Sequence, residues 1–184
     1  MTADARGRSP LEDREGDLET IGTRFLPFLT QVDLRVDQAH AGRSPYPLPL
    51  EPNTSAEHEG METLWLGPDE WLVVGPSGSA GALTSALAVA FTDVHHSIVD
   101  VSANRVAIEL IRDDRAEMLS TVCALDLEAP AWIAGRCAQT LVGRAQVLLQ
   151  ERPDTTRLFA RPSFAGYVVD LLFEVRRVGG DVRA

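Results

Sequence analysis

Ile98-Val99-Asp100-Val101-Ser102-Ala103-Asn104-Arg105-Val106-Ala107-Ile108-Glu109-Leu110 reads as strand, polar turn and strand. Ser97 to Val101 is one β segment, and Val106, Ile108 and Leu110 alternate on the next, the period of two that lines one face of a sheet. Asp100 closes the first segment, where a carboxylate accepts backbone N–H groups and braces the turn Ser102-Ala103-Asn104-Arg105. Asp113-Asp114 then opens a short helix to about Val122, because acids suit the partial positive charge of a helix start. The stretch predicts a hairpin followed by a helix.

The same grammar lies on both sides. Upstream, Thr63-Leu64-Trp65-Leu66 and Trp71-Leu72-Val73-Val74 flank the turn Gly67-Pro68-Asp69-Glu70. A helix over Ser79 to Phe91 follows, with Ser77 or Ser79 as its cap. Downstream, Cys137 to Leu141, Arg144 to Gln150 and Arg157 to Arg161 read as strands. Ser163 is set to cap a helix from Phe164 to about Val178, with positions 164, 167, 168, 171, 172 and 175 on its apolar face and Gly179-Gly180 as its end. Short links join antiparallel strands. The expected fold is therefore α+β, with antiparallel sheet or sheets built from successive ββα units and helices packed on one face.

An earlier half-buried strand spans Gln31 to Asp37, with Val32, Leu34 and Val36 on one face. Residues 41–60 carry Pro45, Pro47, Pro49 and Pro52 and are expected to form a long loop. Residues 1–19 are polar and read as a disordered tail, leaving 20–184 as a single α+β domain.

A chain of 184 residues is long enough for one such domain with a real core. Its net charge of −10 argues against nucleic acid, which requires clustered cations. All 17 of its Lys and Arg residues are Arg, so Schiff-base and P-loop lysines are excluded. Cys123 and Cys137 form no CxxC pair and are expected to be reduced, packed thiols. No apolar run suggests secretion or a membrane span, so the expected compartment is the cytoplasm.

Chemistry-bearing patterns are sparse. His95-His96 would point to opposite faces of a strand, and His40 and His58 sit in loops, so no metal is expected. Asp100 and Asp126 look like turn acids rather than general bases. Ser102 and Ser163 lack a nucleophile elbow, and Gly75, Gly78 and Gly81 match no phosphate-binding loop. Trp65 and Trp71 read as core. Trp132, in the linker Ala129-Pro130-Ala131-Trp132, and Arg161, Phe164 and Tyr167 are the candidates for contact with a partner.

Five segments recur in a telling order: Pro68-Asp69-Glu70-Trp71-Leu72, Asp100 through Arg105, Leu125-Asp126-Leu127, Cys137-Ala138-Gln139-Thr140-Leu141, and Arg161 through Tyr167. From about residue 60 to 175 they resemble the gamma subunit of heterotetrameric sarcosine oxidase. That family is distantly similar to the folate-binding domain of the aminomethyltransferases. The resemblance implies alpha, beta and delta partner subunits and oxidative demethylation of sarcosine to glycine. It implies hydrogen peroxide and formaldehyde, or 5,10-methylenetetrahydrofolate, as further products. FAD, FMN, NAD and tetrahydrofolate are expected in the larger chains and zinc in the delta chain, with no cofactor and no catalytic residue in this one. Two other readings stand beside it. One is a free-standing folate-binding one-carbon protein, with Asp100 or Asp126 as the acid of a pterin pocket. The other is a scaffold that forms homo-oligomers.

Overall fold

The two strands of the opening stretch belong to different sheets in the computed structural model, which describes residues 9–181. The first, β6 (His96–Asp100), is the edge of one five-stranded antiparallel sheet. That sheet runs β3 (Ser55–His58), β4 (Met61–Gly67), β5 (Glu70–Gly75), β2 (Thr30–Val36), β6. The second, β7 (Val106–Leu110), lies in the other sheet, ordered β1 (Thr23–Leu26), β7, β10 (Thr156–Ala160), β9 (Ala145–Glu151), β8 (Cys137–Val142). The expected hairpin is therefore a crossover. A link of this length closes a hairpin or spans two stacked sheets about 10 Å apart, and spacing does not distinguish them.

The sheets stack face to face. Leu64, Leu66, Leu72 and Val74 of one meet Ala107, Cys137, Leu148 and Phe159 of the other. Each sheet carries helices on its outer face. On the β2 sheet, Val32, Leu34, Trp71 and Val73 pack on Leu83, Leu87 and Phe91 at α2 (Ala80–Ala90). On the β7 sheet, Ile108, Leu110, Val147, Leu149 and Leu158 pack under α1 (Glu15–Thr20), α3 (Arg115–Ser120) and α4 (Pro162–Asp181). The α+β architecture thus has two antiparallel sheets, each with helices on one face.

Several local expectations change. Residues 9–19 are not a tail: Leu11 and Leu18 are fully buried in the core under α1, while residues 1–8 lie outside the described residues. Two leucines seven residues apart suffice to seat this segment, although most of its side chains are polar. The proline-rich stretch 41–60 ends in β3, an edge strand whose Ser, Ala, Glu and His lack apolar alternation. Ser79 occupies the N-cap of α2, but its hydroxyl donates to Pro76 O at 2.7 Å and makes no cap bond. Asp114 holds Arg112, Nε to Oδ1 at 2.7 Å, rather than the amides of α3. Helix α4 starts at Pro162, whose missing N–H costs nothing in a first turn, so Ser163 is inside the helix. It continues through Gly179-Gly180 to Asp181. Its buried stripe is Ala165, Val168, Val169 and Leu172, which leaves Phe164 and Tyr167 40% and 38% exposed on the flank.

Candidate functional site

The crossover is fastened to β2. Asp100 Oδ1 accepts from Ser102 N at 3.0 Å and from the Ser102 hydroxyl at 2.5 Å, the brace expected of a strand-end Asp. Asn104 N donates to Val101 O at 2.8 Å and closes the turn. Gln31 receives it: Gln31 N donates to Ser102 Oγ at 3.0 Å, Val101 N donates to Gln31 O at 2.8 Å, and Gln31 Nε2 donates to Arg105 O at 2.9 Å. Gln31 is 1% exposed, and its Oε1 has no hydrogen-bond partner. Sequence reading missed this residue, although it stands on the polar row of β2 beside Asp33 and Arg35.

Beside the crossover opens a cleft of about 500 Å³. Phe25, Leu26, Phe28, Leu29, Val106 and Pro162 supply apolar walls; Gln31, Ser102 and Arg105 supply the polar groups. Phe28 is 53% exposed and has φ +55°, a left-handed backbone uncommon for a bulky residue.

Arg105 also lines a smaller recess of about 90 Å³, together with Arg161, Gln139 and Gln146, above Phe159 and Leu148. The two arginines come from the second and fifth of the segments named above, so the fold joins regions that are distant in sequence. Burial lowers the pKa of Arg105 and repulsion from Arg161 lowers it further, against the through-space pull of Asp33 and Glu70. Asp33 is half-buried. Burial raises its pKa, and the neighbouring Glu70 carboxylate adds to the shift, outweighing Arg35 and Arg105. Arg35 in turn pairs with Glu70 at 2.5 Å.

The other candidate contacts separate. Trp132 is half-buried against the core on the helix-covered side of the β7 sheet, and its Nε1 donates to Glu151 Oε2 at 2.9 Å. The Tyr167 hydroxyl accepts from Arg144 N at 3.1 Å at the β8–β9 turn. Trp71 is fully buried, with Nε1 donating to Pro49 O at 2.8 Å, and it faces Trp65 across β4 and β5. His95 is exposed, while His96 is half-buried against Phe91.

A buried ionic network lies between the sheets, and the sequence reading did not include it. Glu109 on β7 is fully buried and holds Arg24, Arg152 (3.0 Å) and Arg157 (3.5 Å). Glu62 of the opposite sheet holds the same Arg157 at 3.0 Å and Arg152 at 3.3 Å. Burial opposes the charge on Glu109, but the Arg24 hydrogen bond, the nearby Arg157 and Thr155 outweigh it and lower the pKa. Both carboxylates are occupied by arginines, so the network ties sheet to sheet rather than presenting an acid or base to a ligand.

The structure does not supply the acid of a pterin pocket. Asp100 is committed to Ser102, and Asp126 Oδ1 accepts from Glu128 N at 3.2 Å. Among the described residues, no carboxylate lines the 500 Å³ cleft. Among the described residues, no group of three or more His, Cys, Asp or Glu is placed to hold a metal ion. Nor is any described helix long and apolar enough to cross a membrane. Cys123 and Cys137 are both buried and unpaired; Cys137 Sγ donates to Thr54 O at 3.2 Å.

Residues 36–176 match the model of the Sarcosine oxidase, gamma subunit family. "Sarcosine oxidase subunit gamma" of an Arthrobacter species is 32% identical over 133 residues, covering 68% of this chain and 64% of that protein's length. The protein of the same name from Corynebacterium sp. strain P-1 is 29% identical and covers 84% of this chain and 79% of its own. Among solved structures, heterotetrameric sarcosine oxidase from Corynebacterium sp. U-96, in complex with pyrrole 2-carboxylate, contains a chain that superposes with a TM-score of 0.84. The match covers 93% of this chain and 95% of that one at 26% identity. Aminomethyltransferase T of the Bartonella henselae glycine cleavage system shares the fold, with a TM-score of 0.63 at 14% identity over 82% of this chain and 45% of that one. The match over residues 36–176 takes in most of the chain, which belongs to the sarcosine oxidase gamma subunit family.

Proposed function

We propose that this chain is a non-catalytic accessory subunit of a heterotetrameric sarcosine oxidase, assembled with alpha, beta and delta chains. The observation that carries this reading is the near end-to-end match to one chain of the Corynebacterium assembly, over 93% of this chain and 95% of the other. The assembly oxidatively demethylates sarcosine to glycine, giving hydrogen peroxide and either formaldehyde or 5,10-methylenetetrahydrofolate. FAD, FMN, NAD, tetrahydrofolate and zinc belong to its partner chains.

The chemistry of this chain supports that division of labour. Its most buried carboxylates are bonded to arginines, and its turn acids are bonded to backbone amides. Burial pushes the Cys137 thiol up to about 12, far from a nucleophile at neutral pH. What it offers a partner is surface: exposed Arg161 and the flank of α4 bearing Phe164 and Tyr167.

The test is sarcosine-dependent peroxide formation by this chain alone and by the four chains expressed together. The expected result is none from the isolated chain and turnover from the assembly. Turnover by the isolated chain, or a fully stable and active assembly lacking it, would overturn the reading.

A further inference from the structure

Arg105 and Arg161 stand out from the other arginines of the fold. The partly buried cations Arg112, Arg115, Arg152 and Arg157 each hold a carboxylate. Arg105 is half-buried, yet among the described residues its guanidinium makes no hydrogen bond or ion pair, and neither does that of Arg161 beside it. Asp33 and Glu70 act on Arg105 only through space, and Arg161 repels it. Two like charges sharing a recess, one of them partly desolvated, favour an anion between them. The recess is otherwise lined by the amides of Gln139 and Gln146 and, at about 90 Å³, has the size of a carboxylate rather than of a cofactor.

Arg105 is also the wall between this recess and the apolar cleft of Phe25, Phe28 and Pro162. Gln31, which lines the cleft, leaves Oε1 without a partner. A charged fork and an apolar cleft rimmed by the exposed Phe28 are therefore contiguous.

Resting on the accessory-subunit reading, we propose that this is a docking surface for an acidic segment of another subunit: the Arg105–Arg161 pair receives an Asp or Glu carboxylate, and an adjacent apolar side chain of that segment fills the cleft. Charge complementarity carries the choice of occupant. A planar guanidinium binds a carboxylate through two parallel N–H bonds.

The test co-expresses the four chains, with the tag on a flavin-bearing subunit, and measures retention of this chain as salt is raised. Arg161→Gln is the primary variant, since Arg161 is exposed and its loss leaves the fold intact; Arg105→Gln with Arg161→Gln is the second. Arg43→Gln, an exposed arginine beside α2 and outside the recess, is the control. The expected result is that Arg161→Gln weakens retention about tenfold and flattens its salt dependence, with the double variant weaker still and the control like wild type. Retention of the folded Arg161→Gln and double variants equal to wild type at every salt concentration overturns the docking surface and leaves the accessory-subunit reading standing. Failure of wild type itself to be retained overturns both.

Discussion

The side-chain amide of Gln31 donates to the carbonyl oxygen of Arg105 at 2.9 Å, so a residue of one sheet fixes the point at which the chain enters the other. The same residue takes Ser102 Oγ on its backbone N–H. The crossover is thus held from β2, with Asp100 bracing it from within.

Ser102→Ala removes the acceptor of Gln31 N and one of the donors to Asp100. An orphaned buried N–H costs about 1–3 kcal/mol. Urea unfolding should show a loss in this range with an unchanged m value, and a smaller loss for Ser102→Thr.

Glu109→Gln should be far more damaging. It leaves Arg24, Arg152 and Arg157 facing a neutral group in the sheet interface. Removing one partner of a buried ion pair costs about 3–5 kcal/mol. Because the folded pKa of Glu109 lies below the ordinary 4.5, its contribution is present above that value and lost as pH falls through the lowered one. Wild type should lose stability there in acid, and Glu109→Gln should lack that step.

Asp33 predicts the opposite slope. Its folded pKa is raised above 3.8, so the folded chain holds this proton more tightly than the unfolded chain. The contribution is present in acid and lost as pH rises from 3.8 through the raised value. Asp33→Asn should remove that decline, and chemical denaturation across the acid range for both proteins would measure it.

Cys137, with its thiol pushed up to about 12 by burial, should be inert to thiol reagents at neutral pH in the native chain and should react on unfolding. Titration with an aromatic disulfide reagent, with and without denaturant, reads this directly. Rapid native labelling of Cys137 would contradict the packing of the sheet interface.

How much of this was legible depended on whether the signal was local. The alternation of Val106, Ile108 and Leu110 and the Asp100–Ser102 brace are properties of neighbouring residues, and both were read correctly. The destination of the chain after Arg105 is not local, because the same link serves a hairpin or a crossover. Glu109 stands in a strand whose other face is apolar, so it reads as solvent-facing until the second sheet covers it and brings Glu62 to the arginines it shares, Arg152 and Arg157. The face of α4 was displaced by one residue because Phe164 and Tyr167 satisfy helical spacing as well as Ala165, Val168 and Leu172 do. The Arg105–Arg161 recess required residues 56 positions apart, which no spacing rule connects.

The central claim is that this chain works inside an assembly whose flavin chemistry belongs to other subunits. The most direct measurement is gentle isolation of the tagged chain from its host, with the co-eluting chains identified and the visible spectrum recorded. The account predicts a yellow complex of four different chains in equal amounts, with flavin absorption that stays with the other chains when this one is separated from them. A colourless protein eluting alone or as a homo-oligomer would contradict it.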